Sequence, residues 1–560
     1  MLQAIMGTTD SDPRKDKPHD QDQLLKAQII GRMRQVGRIS DRQQIKSFRE
    51  SIGRKVGVSG NNLSLLAVLD LGGREVVLLV AEKLAGQPAH MELRDRLIKE
   101  HYKLVDERLA DVAVIAVLNE AIGRRVNDAA ASDVNPLVEE LFSYAVTQQS
   151  TDIHLCCREK TGMSLLRIHS RIFRYRQYDV ETCQQMAGYM FSIMSEPRSQ
   201  STGTFSLENK SMSCMIRFSH KGLSYKLRYK FIRLADGWDV IIRVLPLEIP
   251  GANNKTFADL GYEESQIRML ELSVTKSIGL IAITGPTGSG KSTTLKTMME
   301  FDPKRQLKKR YAVEDPVEYK IFGVSQISIQ RSDHEQEDDG KAWGGVLRDV
   351  LRADPNDIMV GETRDKATAK IVADFVLTGH KIYTTLHTAS AIGSVLRLSR
   401  LGLDRQVLSD RQFIACLIFQ RLLPVLCSHC KKPAADVLSA RSKHLLMNKF
   451  GLDISSIYCC NDTGCEHCGN RGIVGSTVVA EVLTPDKVLR QHIAEGNDDK
   501  AEQYWRNSRT AAFDEPDMVG KTAFEHGLYK VSQGLIDPRD LEIEFEPLES
   551  YEIVQQGDAP

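Results

Sequence analysis

A glycine-rich segment of the sequence has the residue types and the spacing of a phosphate-binding loop. It runs from Gly285 to Ser292, and its letters, GPTGSGKS, fit the pattern Gly-x-x-x-x-Gly-Lys-Ser/Thr. An apolar stretch precedes it and a helix-compatible stretch follows. This context favours a phosphate-binding loop over an ordinary glycine-rich turn, which needs neither neighbour. Because backbone N–H groups of such a loop turn towards one anion, the segment predicts a nucleotide-phosphate site. The predicted nucleotide-binding residues are Gly285, Pro286, Thr287, Gly288, Ser289, Gly290, Lys291, Ser292 and Thr293.

Two side chains of this loop and two acidic residues elsewhere are of the types that bind a nucleotide together with Mg²⁺. Lys291 is predicted to reach the β- and γ-phosphates, and Ser292 to bind Mg²⁺. Such a site also needs acidic groups at neighbouring strand ends. Glu314 ends one apolar stretch, 311–313, and Glu362 follows another, 358–360. The pattern therefore predicts ATP and Mg²⁺ as ligands.

Two histidines flank a further apolar stretch, 382–386. His380 precedes it and His387 follows it. A histidine at a strand end could donate a hydrogen bond to the γ-phosphate and respond to its loss. The alternative for either residue is a hydrogen-bonded histidine of the core. Both are candidate catalytic residues.

Four of the 11 cysteines form two Cys-x-x-Cys pairs. The pairs are Cys427 with Cys430 and Cys465 with Cys468. Four thiolates suit tetrahedral Zn²⁺, and a gap of two residues lets both sulfurs of a pair face one ion. The sequence therefore predicts a structural zinc site. A redox pair is the alternative, but no thioredoxin-like pattern surrounds these cysteines.

The order of apolar and helical segments predicts the domains that position these residues. Strand-like and helical stretches alternate from 255 to about 425, which indicates an α/β domain with a mainly parallel sheet. Residues 137–250 combine several strand-like stretches with a helical pattern at 181–194 and predict an α+β domain. Residues 22–130 form a separate N-terminal domain, and residues 1–21 are predicted to be a disordered tail.

Composition narrows the class of protein. The chain of 560 residues has 74 basic and 74 acidic residues, so no broad electrostatic footprint for nucleic acid is present. No apolar run reaches the 18 or so residues that span a bilayer, and the N-terminus lacks the pattern of a secretory signal. We therefore expect a soluble, cytoplasmic protein. The basic run 304–310 is interpreted as a solvated loop, with a membrane-facing patch as the alternative.

Four segments, taken in order, resemble the type II secretion and type IV pilus assembly ATPases (GspE/PilB-like). They are GPTGSGKST, VEDPVEY, LRDVLRADPNDIMVGETRD and TGHKIYTTLHTASA. They match the Walker A, Asp-box, Walker B and His-box motifs of that family. The resemblance covers residues 137 to about 535.

The resemblance implies roles for individual residues. Glu314 would polarise the attacking water, and Glu362 would support Mg²⁺ through water. Arg228 and Arg243 would act as arginine fingers on the γ-phosphate, with Arg217 and Arg233 as rival candidates. His380 and His387 are the His-box residues. Arg364 is interpreted instead as a helix cap or a partner of Asp365.

The resemblance also implies a fold class and an assembly. The fold class is α/β, with a RecA-like P-loop NTPase domain at 255–545 that includes a zinc module at 425–475 and C-terminal helices. An α+β (PAS-like) domain at 137–250 precedes it. A homo-hexamer would use ATP, Mg²⁺ and Zn²⁺ to drive pilus or pseudopilus extension through an inner-membrane platform protein, as a cytoplasmic protein peripheral to that membrane.

Three alternatives remain open at this stage. A retraction or conjugation-type ATPase is one, although such relatives usually lack the cysteine module. A nucleotide-binding scaffold without catalysis is another. The N-terminal domain is predicted to dock a partner protein, but residues 34–40 faintly resemble cyclic-di-GMP-binding N-domains.

Overall fold

The chain divides into two units, residues 1–137 and residues 138–560. The computed structural model describes residues 33, 38–39, 50–52, 56, 58, 62, 65–196, 199–247, 255–329 and 339–554. The predicted tail at 1–21 and most of the segment 34–40 lie outside the described residues.

The first unit contains a four-stranded sheet in the order β1-β2-β3-β4. Its strands are β1 (Glu50–Ser51), β2 (Leu66–Gly72), β3 (Glu75–Val80) and β4 (Lys103–Leu109). β2 and β3 form an antiparallel hairpin, and helix Pro88–Lys99 connects β3 to the parallel strand β4. Helix Val112–Thr147 begins in this unit and ends in the second.

The second unit begins with a six-stranded antiparallel sheet in the order β7-β6-β5-β10-β9-β8. Its strands are β5 (Asp152–Arg158), β6 (Gly162–Ile168), β7 (Arg171–Tyr178), β8 (Ser211–His220), β9 (Leu223–Leu234) and β10 (Gly237–Leu247). Helix Val180–Ser192 buries Met186, Met190 and Phe191. This helix corresponds to the pattern predicted at 181–194.

A seven-stranded sheet forms the centre of the second unit, in the order β13-β12-β14-β15-β11-β16-β19. Its strands and the short β17–β18 pair are β11 (Gly279–Thr284), β12 (Arg310–Glu314), β13 (Ser325–Ser328), β14 (Asp357–Val360), β15 (Lys381–Leu386), β16 (Ile414–Leu426), β17 (Lys432–Pro433), β18 (Tyr458–Cys459) and β19 (Ile473–Leu483). Every pairing in the large sheet is parallel except that of β16 with β19.

Helices cover both faces of this sheet, so its inner strands are apolar throughout instead of alternating. All six residues of β11 and all six of β15 are buried. The helices that precede or connect these strands are Phe257–Leu260, Glu264–Thr275, Lys291–Phe301, Asp339–Leu351, Lys366–Leu377, Gly393–Arg400 and Arg405–Leu408. In a parallel sheet of this kind the carboxyl ends of the strands share one edge, where ligands bind.

The C-terminal region packs on two apolar clusters: a separate one that includes Phe450, Phe524 and Leu541, and that of the central sheet, which includes Leu489 and Trp505. Its helices are Ala434–Val437, Ala440–His444, Lys487–Glu495, Asp498–Asn507, Ala523–Ser532 and Pro538–Glu544. Within the part of the chain that the structure describes, no helix is both long enough and apolar enough to cross a bilayer.

Two side chains of the basic run 304–310, those of Lys308 and Arg310, lie against the amino edge of the central sheet. Lys308 Nζ lies 2.6 Å from Asp302 and 3.2 Å from Asp357. Arg310 is buried and donates to the carbonyl oxygens of Met299 and Phe322. The prediction of a solvated loop is therefore wrong for Arg310, which is buried, and for Lys308, which pairs with two buried carboxylates.

Candidate functional site

The glycine-rich loop connects β11 to helix Lys291–Phe301. Gly285, Gly288 and Gly290 have φ angles of 143°, 82° and 82°, which L side chains rarely adopt. A Cβ on Gly285 would lie 2.3 Å from the Gln420 carbonyl oxygen. Lys291 Nζ donates to the carbonyl oxygens of Gly285 (2.8 Å) and Pro286 (2.9 Å).

A buried polar contact from β16 supports the loop from behind. Gln420 Nε2 donates to the Ser289 carbonyl oxygen at 2.6 Å, and Tyr262 donates its hydroxyl proton to Gln420 Oε1 at 2.8 Å. Ser289 Oγ is buried, and no hydrogen-bond partner for it exists among the residues that the structure describes. An anion held by the loop is a fitting partner for this hydroxyl group, because a buried polar atom without one is costly.

A cavity of about 370 Å³ lies between the glycine-rich loop and the six-stranded sheet. It collects most of the residues that the sequence proposes for nucleotide chemistry. From the loop they are Thr287, Gly288, Ser289, Gly290, Lys291, Ser292 and Thr293. From other elements they are Glu314, Glu362, His387, Arg228 and Arg243. Gly285 and Pro286 contribute instead through their carbonyl contacts with Lys291.

Glu314 is the last residue of β12 and only 6% exposed. Gln326 Nε2 donates to its Oε1 at 2.9 Å. Burial raises the pKa of Glu314 to about 7, against the smaller opposing effect of this hydrogen bond. A carboxylate with a pKa near neutrality is suited to accept a proton from water.

Glu362 follows β14 and contacts two other residues of the cavity. Arg364 Nη2 lies 2.7 Å from Glu362 Oε2, and His387 Nε2 lies 3.5 Å from Glu362 Oε1. Burial and the nearby charge of Lys291 lower the pKa of His387. Asp365 caps the next helix by accepting from the Thr368 amide, so the interpretation of Arg364 as the helix cap is wrong. Arg364 pairs with Glu362.

The six-stranded sheet brings two arginines to the cavity. Arg243 on β10 is opposite Arg228 on β9 and opposite Asp152 on β5. Arg243 Nε donates to Asp152 Oδ1 at 3.0 Å, which orients its guanidinium group. The rival arginines pair elsewhere, Arg217 with Glu196 and Arg233 with Glu208.

Lys291 combines burial with nearby charges of both signs. Burial lowers the pKa of Lys291 to about 8, although Glu362 and Glu318 act in the opposite direction and Arg243 in the same one. A phosphate group in the loop would raise this pKa again, because an opposite charge favours the ammonium form.

His380 lies at the other edge of the central sheet, and the prediction that it is catalytic needs correction. It precedes β15, whereas the cavity lies where β15 ends. Six residues of strand, each adding about 3.3 Å, separate it from His387. Its Nδ1 is 3.0 Å from Thr378 Oγ1 and 3.1 Å from the Phe375 carbonyl oxygen. His380 is therefore a hydrogen-bonded histidine outside the cavity, although it is half-buried and not a residue of the core.

The four cysteines of the two Cys-x-x-Cys pairs converge. Their sulfur atoms all lie within 4.8 Å of one another. Cys427–Cys465, Cys430–Cys468 and Cys465–Cys468 are separated by 3.8, 3.9 and 3.8 Å. In a tetrahedral site with Zn–S bonds of about 2.3 Å, the sulfurs are about 3.8 Å apart. The backbone amides of Cys465 and Gly472 donate to Cys468 Sγ, so the donor set fits zinc.

Three residues that matter to the site were given no role in it by the sequence analysis. Gln420 supports the loop, Asp152 orients Arg243, and Arg364 holds Glu362. Gln420 follows the apolar stretch 414–419, and apolar residues resume at 422. It could therefore have been noticed as a polar residue within a long apolar stretch. The other two partnerships depend on strand pairing and loop conformation, which no local pattern reveals.

Comparisons with known proteins give the following relationships. The family model described as "Type II/IV secretion system protein" matches residues 127–533. A type IV pilus assembly ATPase PilB from Thermus thermophilus is 28% identical over 72% of this chain and 42% of its own length. A type II secretion system protein E from Pseudomonas aeruginosa is 29% identical over 71% of this chain and 73% of its own length. The solved ATPase DotB from Legionella pneumophila is 20% identical, covers 72% of this chain and 93% of its own, and has a TM-score of 0.47.

Proposed function

Because this chain belongs to the type II/IV secretion system protein family and is an ATPase of that family, we propose that it hydrolyses Mg²⁺-ATP to assemble a type IV pilus or a type II secretion pseudopilus. One observation carries the proposed chemistry. Three strand ends of the central sheet, those of β11, β12 and β14, bring Lys291, Glu314 and Glu362 to one cavity, and the six-stranded sheet brings the two arginines to it.

Each group has a distinct task in the proposed hydrolysis. Glu314 accepts a proton from a water molecule as the water oxygen bonds to the γ-phosphorus. The bond from that phosphorus to the bridging oxygen breaks, and its electron pair leaves with ADP. Lys291, Arg228 and Arg243 stabilise the charge on the phosphate oxygens, which is the main contribution of protein groups to phosphoryl transfer.

Two sites for metal ions accompany this chemistry. Ser292 is the proposed ligand of Mg²⁺, with Glu362 supporting it through water. Bound Mg²⁺ supplies positive charge at the β- and γ-phosphates. The four cysteines are proposed to hold a structural Zn²⁺, and His429 and His467 are not required as ligands.

The proposed direction of the motor is extension. The cysteine cluster supports it, since retraction and conjugation-type relatives usually lack such a module. We assign partner docking to residues 22–130, arginine donation to the α+β (PAS-like) domain at 137–250, and hydrolysis to residues 255–545. A cytoplasmic homo-hexamer would act on an inner-membrane platform protein and associate with the membrane through it.

The test measures ATP hydrolysis and assembly separately. The purified protein is expected to release phosphate from ATP only with Mg²⁺, and Lys291→Ala is expected to abolish this release. Deletion of the gene is expected to remove surface pili or secreted substrates, and the Lys291→Ala gene is not expected to restore them. Hyperpiliated cells after deletion would indicate a retraction motor and would overturn the proposed extension. Binding of ATP without Mg²⁺ and without phosphate release would indicate a nucleotide-binding scaffold that lacks catalysis.

Zinc is tested by metal analysis of protein purified without chelator. One zinc per chain is expected for the parent and none for Cys465→Ser. His467→Ala is the matched control, because this neighbouring residue is exposed, and it should retain the zinc. A parental protein without zinc would refute the metal assignment.

A further inference from the structure

The turn between β6 and β7 has an unusual backbone. His169 and Ser170 have φ angles of 49° and 70°, and two residues of positive φ are typical of the tight turn of a hairpin. Because such conformations are unfavourable for residues with a β-carbon, contacts around the turn must maintain them.

Arg171, the next residue, contacts the C-terminal region. Its Nη2 donates to both carboxylate oxygens of Asp540 at 2.7 Å, and its Nη1 donates to Cys460 Sγ at 3.2 Å. The Asp540 side chain is only 8% exposed. Charge-assisted contacts in which one guanidinium nitrogen bridges both carboxylate oxygens, with a second nitrogen on a thiol, are directional and hold the β7 strand in one place.

The residues around Arg171 belong to the chain segments that flank the four cysteines, which we call the frame of the cysteine cluster. Phe173 packs against the buried group of Leu426, Cys460 and Ile473. Leu426 immediately precedes Cys427 in the chain, and Gly472, which precedes Ile473, donates its amide to Cys468 Sγ at 3.1 Å. Residues 169–173, which we call the hairpin tip, therefore contact the segments that hold two of the four cysteines.

One row of paired residues connects the hairpin tip to the arginines of the cavity. Ile172 on β7 is opposite Arg167 on β6, and Arg167 is opposite Asp152 on β5. Asp152 is opposite Arg243 on β10, which is opposite Arg228 on β9. Four strand spacings of about 4.8 Å place β7 roughly 19 Å from β9. Rigid secondary elements can carry energetic coupling between sites separated by such a distance.

Resting on the proposed function, we infer that Arg171 is a positioning residue: through Asp540 and the frame of the cysteine cluster it sets where the six-stranded sheet presents Arg228 and Arg243. Loss of the ion pair frees the hairpin tip to move, and the row of paired residues moves the two arginines with it. Loss of zinc has the same effect from the other side, because the frame that receives Arg171 and Phe173 loosens.

Arg171→Ala tests this inference with two measurements. Hydrogen–deuterium exchange without nucleotide is expected to be faster in β9 and β10 than in the parent. The kcat for ATP hydrolysis is expected to fall about tenfold, since displacements near 1 Å can cost up to about 100-fold. The Kd for ADP is expected to stay within twofold, because the glycine-rich loop is unchanged.

The matched control is Arg176→Ala. Arg176 also lies on β7 and pairs with a carboxylate, Glu140 at 2.7 Å, but it is exposed and that pair lies within the six-stranded domain and its leading helix. This variant is expected to keep the parental exchange and kcat. A charge exchange, Arg171→Asp with Asp540→Arg, is expected to recover much of the lost kcat, which excludes a general folding defect.

Coupling to zinc is tested by combining Arg171→Ala with Cys465→Ser. The double variant is expected to have the same kcat as the single variant with the lower kcat. Both changes loosen the same contact, the one between the hairpin tip and the frame of the cysteine cluster. Parental exchange and kcat in Arg171→Ala, or fully multiplicative losses in the double variant, would overturn the inference. Absence of ATP hydrolysis in the parent would refute the proposed function alone, since the exchange measurement needs no nucleotide.

Discussion

The two edges of the central sheet carry the same kinds of charged residues but use them differently. At the carboxyl edge, Lys291, Glu314 and Glu362 face a cavity of about 370 Å³. At the amino edge, Lys308, Asp357 and Lys381 face one another and the backbone. β15 connects the two edges, and one histidine flanks each of its ends.

The amino edge satisfies its charges within the fold. Lys308 bridges Asp302 and Asp357, and Lys381 donates to the Val274 carbonyl oxygen. Burial raises the pKa of Asp357 and lowers the pKa of Lys381 to about 8. At the carboxyl edge Lys291 and Glu362 have protein partners as well, but they also face the cavity. The comparison teaches that access to a cavity, rather than burial or pairing, distinguishes a functional charge from a structural one.

The largest expected effect concerns the carboxyl edge. Glu314→Gln is expected to lower kcat by roughly 10³, within the range for loss of a general base. Stability above pH 7 should be unchanged or higher, because the amide avoids the cost of burying an ionised carboxylate. Phosphate release and urea unfolding measure the two quantities. Hydrolysis at the parental rate would contradict the assignment of Glu314 as the base.

At the amino edge the expected pattern is reversed. Asp357→Ala leaves two buried ammonium groups with less compensation and should lower the free energy of unfolding by about 3–5 kcal/mol. The kcat of the folded protein should stay within twofold. Glu549→Ala, which breaks the exposed pair with Arg441, is the control and should leave the free energy of unfolding nearly unchanged. Equal losses of the free energy of unfolding in both variants would mean that the amino edge is no more important for stability than an exposed ion pair.

The pH dependence tests whether the carboxyl edge titrates as its burial implies. The base form of Glu314 is the ionised one, and its pKa is about 7. Below that pH, kcat/KM should fall about tenfold per pH unit. Above about pH 8, loss of the Lys291 proton should lower kcat/KM again. In Glu314→Gln the acidic limb should disappear, and a limb that persists would assign it to another group.

The smallest expected effects compare the two histidines that flank β15. His387→Ala is expected to lower kcat about tenfold, since the ring contacts Glu362 in the cavity. His380→Ala should leave kcat within twofold, because its ring bonds to Thr378 and the Phe375 carbonyl. Steady-state kinetics on both variants measure the difference. Equal effects would mean that the position of a residue along β15 does not decide its role.

Much of the central sheet could be predicted because its strands are short, apolar and separated by helices. The predicted stretches 279–284, 311–313, 358–360 and 382–386 lie within β11, β12, β14 and β15. The family resemblance drawn from four motifs is confirmed by the family model over residues 127–533. The His380 error was avoidable, because a residue that precedes a parallel strand lies at the edge away from the ligand.

Other features could not be read from local patterns. The charged stretch that forms β7 alternates arginines with apolar residues, and its role depends on Asp540, which is 369 positions away. The pairing of β2 with β3 cannot be predicted from local patterns either, since a short apolar run suits a buried helix as well as a strand. Long-range contacts settle both cases.

The strand β16 gives the phosphate loop and the cysteine cluster one backbone in common. Gln420, in its middle, holds the Ser289 carbonyl, and Leu426, at its end, adjoins Cys427. Six residues of extended chain span about 20 Å, and β19 pairs with this strand along that whole length. Because β16 is paired along this length, it fixes the distance between its middle, which contacts the phosphate loop, and its end, which adjoins the cysteine cluster. The phosphate loop and the cysteine cluster are therefore positioned relative to each other by a single strand.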